Sequence, residues 1–483
     1  MDTPLRRIAI DPVSRVEGHG KVTLLLDAEG HVAQARLHIV EFRGFERFIQ
    51  GRPYWEVPVM VQRLCGICPV SHHLAASKAL DVVVGATRLT PTADKVRRLM
   101  HYGQMLQSHA LHFFHLASPD LLFGFDSEVA RRNIVGVAAA YPELAKQGVL
   151  LRKFGQEIIR ITAGKRVHGT GSIPGGVNKA VTSAERDEQK AALPQVLEWA
   201  RAGVELVKKL HLQNRALYER FGLYRSSLVS LVGKGGRLEF YDGTLRARDA
   251  DGGILFDGVD PSQYRQHLDE EIKSWSYMKF PWLKALGPER GSYKVGPLAR
   301  LQNCDFIHTP LAEAQRQVFR DAHGGALVHG PLAYHWARLI ELLHAAEVIG
   351  ELLLDDDLLG TELVTHGKRA GEGVGVIEAP RGTLIHHYKV DEQDLVTMCN
   401  LIVSTTHNNQ AMNEAVRAVA REYLDGHEPT EPLLNHLEVA IRAFDPCLSC
   451  ATHAMGQMPL QVQVLDASGA LVGDLRRERG PLP

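Results

Sequence analysis

Arg63-Leu-Cys65-Gly-Ile-Cys68-Pro69-Val-Ser-His72-His73 is the stretch from which this chain is best read. It has a counterpart near the other end, Asp445-Pro-Cys447-Leu-Ser-Cys450-Ala-Thr-His453. Each is a Cys-x-x-Cys pair followed by a histidine, and together they use four of the six cysteines. Two cysteines at this spacing can turn both sulfurs toward one ion, and thiolates are soft ligands suited to zinc, copper(I), nickel or iron. Pro69 suits the first turn of a helix, so the first pair enters a helix N-terminus, where free N–H groups and the helix dipole favour thiolate. Cys450 and His453 stand three residues apart, one turn if that segment is helical. A structural zinc site is the plain alternative. Zinc ribbons bring their knuckles within about 15–20 residues of each other, whereas 379 positions separate Cys68 from Cys447. A thioredoxin-like redox role fits less well, since no βαβ pattern surrounds either pair.

Working outward, the 483 residues exceed what one simple core layer needs, so one large or two intimate domains are expected. Hydrophobic content of 45%, charged content of 23% and a net charge of −1 describe an ordinary globular protein with no nucleic-acid or membrane-surface bias. No run approaches the roughly 20 apolar residues of a membrane span, and the N-terminus lacks a signal-peptide core. A cytoplasmic, reducing setting is the expectation, and there a Cys pair points to a metal or redox site rather than a disulfide.

Strands are expected over residues 21–26 and 32–40 about a turn at 27–30. A helix should start at Pro69 and a long buried one near Thr92, stopping before Ser118-Pro119. Further helices are expected from Ser183 to about Leu210, over 311–320 and 331–354, and from Asn409 to Leu424. Hairpin character is expected over 236–258 and 461–475. The fold class is therefore mainly α: a bundle of long buried helices with small β-hairpins at its margins. Residues 1–453 should form one metal-binding domain, with a β part at about 6–60, a helical core at about 69–440 and the metal motif at 445–453. Residues 454–483 form a C-terminal extension.

Five segments in order carry a resemblance: Arg15-Val-Glu17-Gly-His19, Phe42-Arg-Gly-Phe-Glu46, Arg63-Leu-Cys65-Gly-Ile-Cys68, Glu378-Ala-Pro380-Arg381-Gly382 and 445–453. On these the chain resembles the large, catalytic subunit of nickel–iron hydrogenases, nearly end to end. The wording is most similar to the bidirectional, NAD-reducing cytoplasmic type. Relatives linked to F420, NADP or heterodisulfide share much of it. The related quinone-reductase subunits share the scaffold but lack the metal cysteines, all four of which are present here.

The resemblance implies that Cys65 and Cys447 are terminal nickel ligands, while Cys68 and Cys450 bridge nickel to an iron carrying carbon monoxide and cyanide. It implies Mg2+ held by Glu46 and His453, and a hydrogen bond from His72 to a bridging sulfur. Arg381, after Pro380, would hang over the metals and bond a cyanide; a guanidinium cannot act as a base at neutral pH. Ser404 and Thr405 would approach the other cyanide, and Asp445 would stand close to Arg381. One departure is Ser108, where the family often carries an aspartate before His109-Ala-Leu-His112-Phe113. That canopy loses a negative charge, leaving Asp445 as the nearer partner of Arg381.

The reaction implied is reversible heterolysis of dihydrogen, which needs a Lewis-acidic metal and an adjacent base. The Cys447 thiolate is the expected base, and Glu17 the relay that carries the proton outward. For Glu17 the bland alternative is a salt bridge with Arg15. Cys304 and Cys399 are too few for an iron–sulfur cluster, and Gly169-Thr-Gly171-Ser-Ile-Pro-Gly-Gly176 lacks the spacing of a dinucleotide fingerprint. That loop is expected to face a neighbouring subunit. No iron–sulfur cluster, flavin or NAD is thus expected on this chain. Electrons would leave through an iron–sulfur small subunit, then through flavin-containing diaphorase subunits. In the family, a maturation protease removes the extension after the C-terminal histidine, here His453, once nickel-insertion proteins have acted.

Overall fold

The computed structural model describes residues 6–39 and 44–448, together with the backbone of two later strands, Leu460–Leu465 and Leu471–Arg477. The helices form its largest part. Pro91–Leu111 packs most extensively on Pro142–Ala163, and Ala333–Leu354 lies across both Ser183–Gln213 and Pro91–Leu111. Small residues allow the closest approach. Gly155 sits so near Gly103 O and Gln107 that a methyl group there would lie within 3 Å of either. The Ser183–Gln213 helix opens with a capping box in which Thr182 and Glu185 each bond the other's backbone N–H. Ala333–Leu354 is buried on nearly all sides, as its run of Leu and Ala requires.

The expected helices from Pro69, Ser183 and Asn409 are present as Pro69–Val83, Ser183–Gln213 and Asn409–Leu424. Pro310–Ala322 and Ala333–Leu354 correspond to the two expected between 311 and 354. The stop before Ser118-Pro119 is corrected. The helix widens into a π turn at His112–Ala117 and continues as Ser118–Phe123. Pro119, which has no N–H to give, falls where the widened turn passes into that last piece, and Ser118 Oγ donates to Phe114 O at 2.7 Å. Pro142–Ala163 and Glu431–Ala443 are helices the pattern reading passed over.

The β structure is larger and more central than margin hairpins. A five-stranded antiparallel sheet runs in the order Leu471–Arg477, Leu460–Leu465, Arg6–Asp11, Gly20–Leu26, Val32–Ile39. The extension's hairpin, close to the expected 461–475, thus pairs with the first strand of the chain. A second sheet joins Tyr293–Lys294, Ser227–Val232, Thr244–Arg248 and Ile254–Val259. The third, Glu372–Ala379, Gly382–Val390 and Val396–Ile402, packs against the Pro69–Val83 helix. Gly373 and Gly375 let that helix touch the sheet, because a Cβ at either would meet Ala79 O or Ala75 O at 2.0 and 2.2 Å. This third sheet is a wall of the core. Its Ala379–Gly382 turn carries Pro380 and Arg381 inward. Among the described residues no helix is long and apolar enough to cross a membrane.

The loop 169–176 packs largely on this chain. Its Gly175 and Gly176 pack on this chain's own Thr365 O and Leu363 O, and Ser172 N donates to His73 Nε2 at 3.0 Å.

Candidate metal centre

Three of the four motif cysteines meet. Cys68 is the cap residue of the Pro69–Val83 helix, and its non-helical backbone, φ −116° and ψ 41°, turns the preceding knuckle back toward the helix end. Backbone N–H groups of Ile67 and Cys68 donate to Cys65 Sγ at 3.3 and 3.0 Å, the arrangement that favours a thiolate. Cys65 Sγ lies 3.0 Å from Cys447 Sγ and 2.8 Å from Cys68 Sγ. Cys65, Cys68 and Cys447 form a group able to hold one ion. Cys450 and His453 lie outside the described residues.

In this thiol cluster Cys68 is pulled well below the usual thiol range by hydrogen bonds from Cys447 and Cys65. Burial pushes Cys65 up to about 11, and its neighbours' sulfurs raise Cys447.

Cys447 is held in place by two segments distant in sequence. Its N–H donates to Thr405 Oγ1 at 2.9 Å, and a parallel bridge joins it to Glu17, with Leu448 N donating to Glu17 O at 2.6 Å. Glu17 is buried beside the cluster, near enough that its charge acts on both Cys68 and Cys447. The salt bridge weighed between Glu17 and Arg15 does not form. Arg15 instead forks onto Asp120 at 2.9 and 2.6 Å, and Asp120 also receives Arg442.

A small cavity opens between Cys68, His72, Pro380, Arg381, Ser404, Thr405 and Cys447. Arg381 donates through Nε to Asp445 O at 2.6 Å and through Nη2 to Asp445 Oδ1 at 3.0 Å. Asp445 is therefore its partner, as expected where Ser108 stands in place of an aspartate. Both are buried, and Arg381 Nη1 and Asp445 Oδ2 have no hydrogen-bond partner among the described residues. Buried guanidinium nitrogens are seldom left unmatched, so an acceptor in the cavity is what this site lacks. Ser404 Oγ donates to Gly382 O at 2.8 Å, which fixes the turn below Arg381. His72 Nδ1 is hydrogen-bonded to His386 Nε2 at 3.2 Å, leaving Nε2 as the ring nitrogen available to the cavity. Soft sulfurs on one side and an unmatched cationic donor on the other fit a thiolate-held metal with an anionic or acceptor ligand.

Glu46 stands apart from the sulfurs. Its Oε1 accepts from Leu401 N at 2.9 Å and lies 3.6 Å from Lys279 Nζ. Cys304 and Cys399 are buried away from the cluster, and burial raises both thiols. Several residues that shape the site were not singled out in the sequence: His386 behind His72, Arg338 above Asp445, and the Arg300–Glu341–Glu378 group under the turn. Arg300 bonds Glu341 at 2.7 and 2.6 Å and Glu378 at 2.9 Å, all fully buried.

The family model described as nickel-dependent hydrogenase matches residues 43–123 and 240–453, and one described as HoxL-like matches residues 7–42. The chain is 50% identical to the NAD-reducing hydrogenase HoxS subunit beta of Cupriavidus necator, over 98% of this chain and 100% of that one. It is 42% identical to an F420-non-reducing hydrogenase subunit of Methanothermobacter marburgensis, over 96% and 99%. A solved NAD+-reducing [NiFe]-hydrogenase in the H2-reduced state superposes with a TM-score of 0.90 at 60% identity, covering 92% of this chain and 99% of that one. A [NiFeSe] hydrogenase from Desulfovibrio vulgaris Hildenborough, 24% identical with a TM-score of 0.74, shares the fold over 92% of this chain and 99% of its own. Converging thiolates, a buried arginine canopy and a family match over most of its length make this chain a member of the nickel-dependent hydrogenase family.

Proposed function

We propose that this chain is the catalytic subunit of a cytoplasmic hydrogenase that cleaves dihydrogen reversibly and delivers the electrons, through partner subunits, to NAD. The observation that carries this is the meeting of Cys65, Cys68 and Cys447 under Arg381. The choice of NAD rests on the 50% identity to the NAD-reducing relative across the whole chain. Cys450 would complete the four-thiolate set, with Cys65 and Cys447 on nickel alone and Cys68 and Cys450 shared with iron.

When bound, the nickel–iron pair with its carbon monoxide and cyanide ligands supplies the Lewis-acidic, redox-active centre at which dihydrogen is polarised and split. The chain's own residues manage the proton. Cys447 Sγ, which lines the cavity beside Glu17, would be the base that accepts it. Glu17, bridged to Cys447 through the backbone, takes it onward from the sulfur. Arg381 acts by charge and position: Asp445 holds two of its donors, and Nη1 is left for a cyanide. Ser404 and Thr405 line the same cavity; the Thr405 hydroxyl, which accepts from Cys447 N, would donate to the second cyanide, whereas the Ser404 proton goes to Gly382 O and fixes the turn. His72 donates to a bridging sulfur. Glu46 and His453 would hold Mg2+.

Electrons leave through an iron–sulfur small subunit, then through flavin-containing diaphorase subunits, in keeping with the relative's name as one part of an NAD-reducing enzyme. A maturation protease would cut after His453 once nickel-insertion proteins have acted. The test is metal analysis with infrared spectroscopy of the matured protein. Nickel and iron together, with carbon monoxide and cyanide bands, are expected; zinc or no metal would overturn the proposal.

A further inference from the structure

His72 reaches the metal cavity from the first turn of the Pro69–Val83 helix. Behind it stand two side chains from one face of the strand Gly382–Val390, His386 and Tyr388. The three form an unbroken line: His72 Nδ1 to His386 Nε2 at 3.2 Å, and His386 Nδ1 to the Tyr388 hydroxyl at 2.6 Å. All are buried, Tyr388 and His386 completely.

We propose that Tyr388 and His386 are positioning residues that set the ring tautomer of His72, so that an Nε2–H rather than a bare lone pair faces the cysteine sulfurs. This rests on the reading of the cavity as the nickel–iron site. A neutral imidazole has one donor and one acceptor nitrogen, so the line admits only two proton orders. In the first, the Tyr388 O–H donates to His386 Nδ1, His386 Nε2–H donates to His72 Nδ1, and the His72 proton is left on Nε2. In the second, every bond reverses. His72 then turns a lone pair toward anionic sulfur, and the Tyr388 proton has no acceptor, since among the described residues its hydroxyl has no partner but His386. A buried donor left unmatched is destabilising. The first order satisfies every group. Burial keeps His386 neutral and the Tyr388 phenol protonated, as this order requires. The role is that of an outer partner fixing the orientation of a group that supports a metal ligand.

The test is Tyr388→Phe in the matured complex with its partner subunits, read by the infrared bands of the iron ligands and the nickel electron paramagnetic resonance signal. Phenylalanine keeps the packing and removes only the terminal donor. Nickel and iron content should match the parent, while the carbon monoxide and cyanide bands shift or double as His72 samples both tautomers. The double variant Tyr388→Phe/His386→Gln should return the bands to the parent positions, because the glutamine amide can donate to His72 Nδ1 without help. Bands superposable on the parent in the single variant, or no return in the double, overturn the proposal. A parent without such bands would defeat the nickel–iron reading instead. The nickel g-values then decide, unchanged values in Tyr388→Phe refuting the tautomer assignment. If the single variant loses its metals, His386→Leu, which removes the donor to His72 Nδ1, serves instead: shifted or doubled bands support the assignment and parent-like bands refute it.

Discussion

Arg381 and Asp445 are 64 positions apart, yet Arg381 grips both the carbonyl and the carboxylate of Asp445, at 2.6 and 3.0 Å, two residues before Cys447. Asp445 adopts a left-handed backbone, φ 54°, to present both oxygens. The pairing joins the turn of the third sheet to the C-terminal cysteine motif and aims the remaining guanidinium nitrogen at the cavity. Arg381→Lys keeps the charge but loses the fork. Hydrogen oxidation should fall by about 10²-fold with nickel and iron retained, in line with the loss of one oriented donor. Wild-type rates in that variant would refute the role.

Glu17→Gln should leave both metals bound and abolish hydrogen–deuterium exchange. Glutamine is nearly isosteric and leaves the backbone bond from Leu448 N to Glu17 O in place, so the Cys447 loop should hold. Undiminished exchange would remove Glu17 from the proton path.

Arg300 neutralises two fully buried carboxylates, Glu341 and Glu378, beneath the turn that carries Arg381. Arg300→Met strands both. The cost should be about 3–5 kcal/mol, read as a lower denaturant midpoint of the full chain. A midpoint within error of the parent would mean that the group contributes nothing net.

Burial holds His73 and His101 at about 4, well below the usual 6.5. The unfolded chain binds a proton on each near pH 6.5 while the folded chain does not, so stability rises with pH between about 4 and 6.5 and is lost on acidification through that window. Each histidine accounts for about 3 kcal/mol across it. Denaturant unfolding at pH 7 and pH 5 should show a smaller difference for His101→Asn than for the parent; equal differences would exclude this source.

The active protein should end at His453, as read by intact mass spectrometry. The extension's hairpin pairs with Arg6–Asp11, so its removal would uncover that strand's edge. An active full-length chain would refute the cut.

Asn409–Leu424 was legible because burial on one side writes itself at 3.6-residue spacing, and Ala333–Leu354 because its run of Leu and Ala is longer than an ordinary strand. The π turn at His112–Ala117 was not, since one inserted residue leaves the apolar run unchanged and Pro119 looks like a stop. The strand Gly382–Val390 was missed although β-rich, because it is buried on both faces and shows no polar alternation.

Sequence by itself offered the candidate donor set: four soft cysteines in two distant pairs, with Glu17, His72, Arg381 and Asp445 close by in motifs that also name the family. Residue chemistry and spacing are local properties, and the chain carries them in any conformation. Tertiary structure alone decided that Arg15 belongs to Asp120 while Glu17 stands beside the cysteine cluster, that Asp445 rather than residue 108 holds Arg381, and that His386 and Tyr388 stand behind His72. Those pairings span from 64 to 314 positions wherever they join separate elements. They are set by how a sheet and a helix pack, which no local pattern encodes.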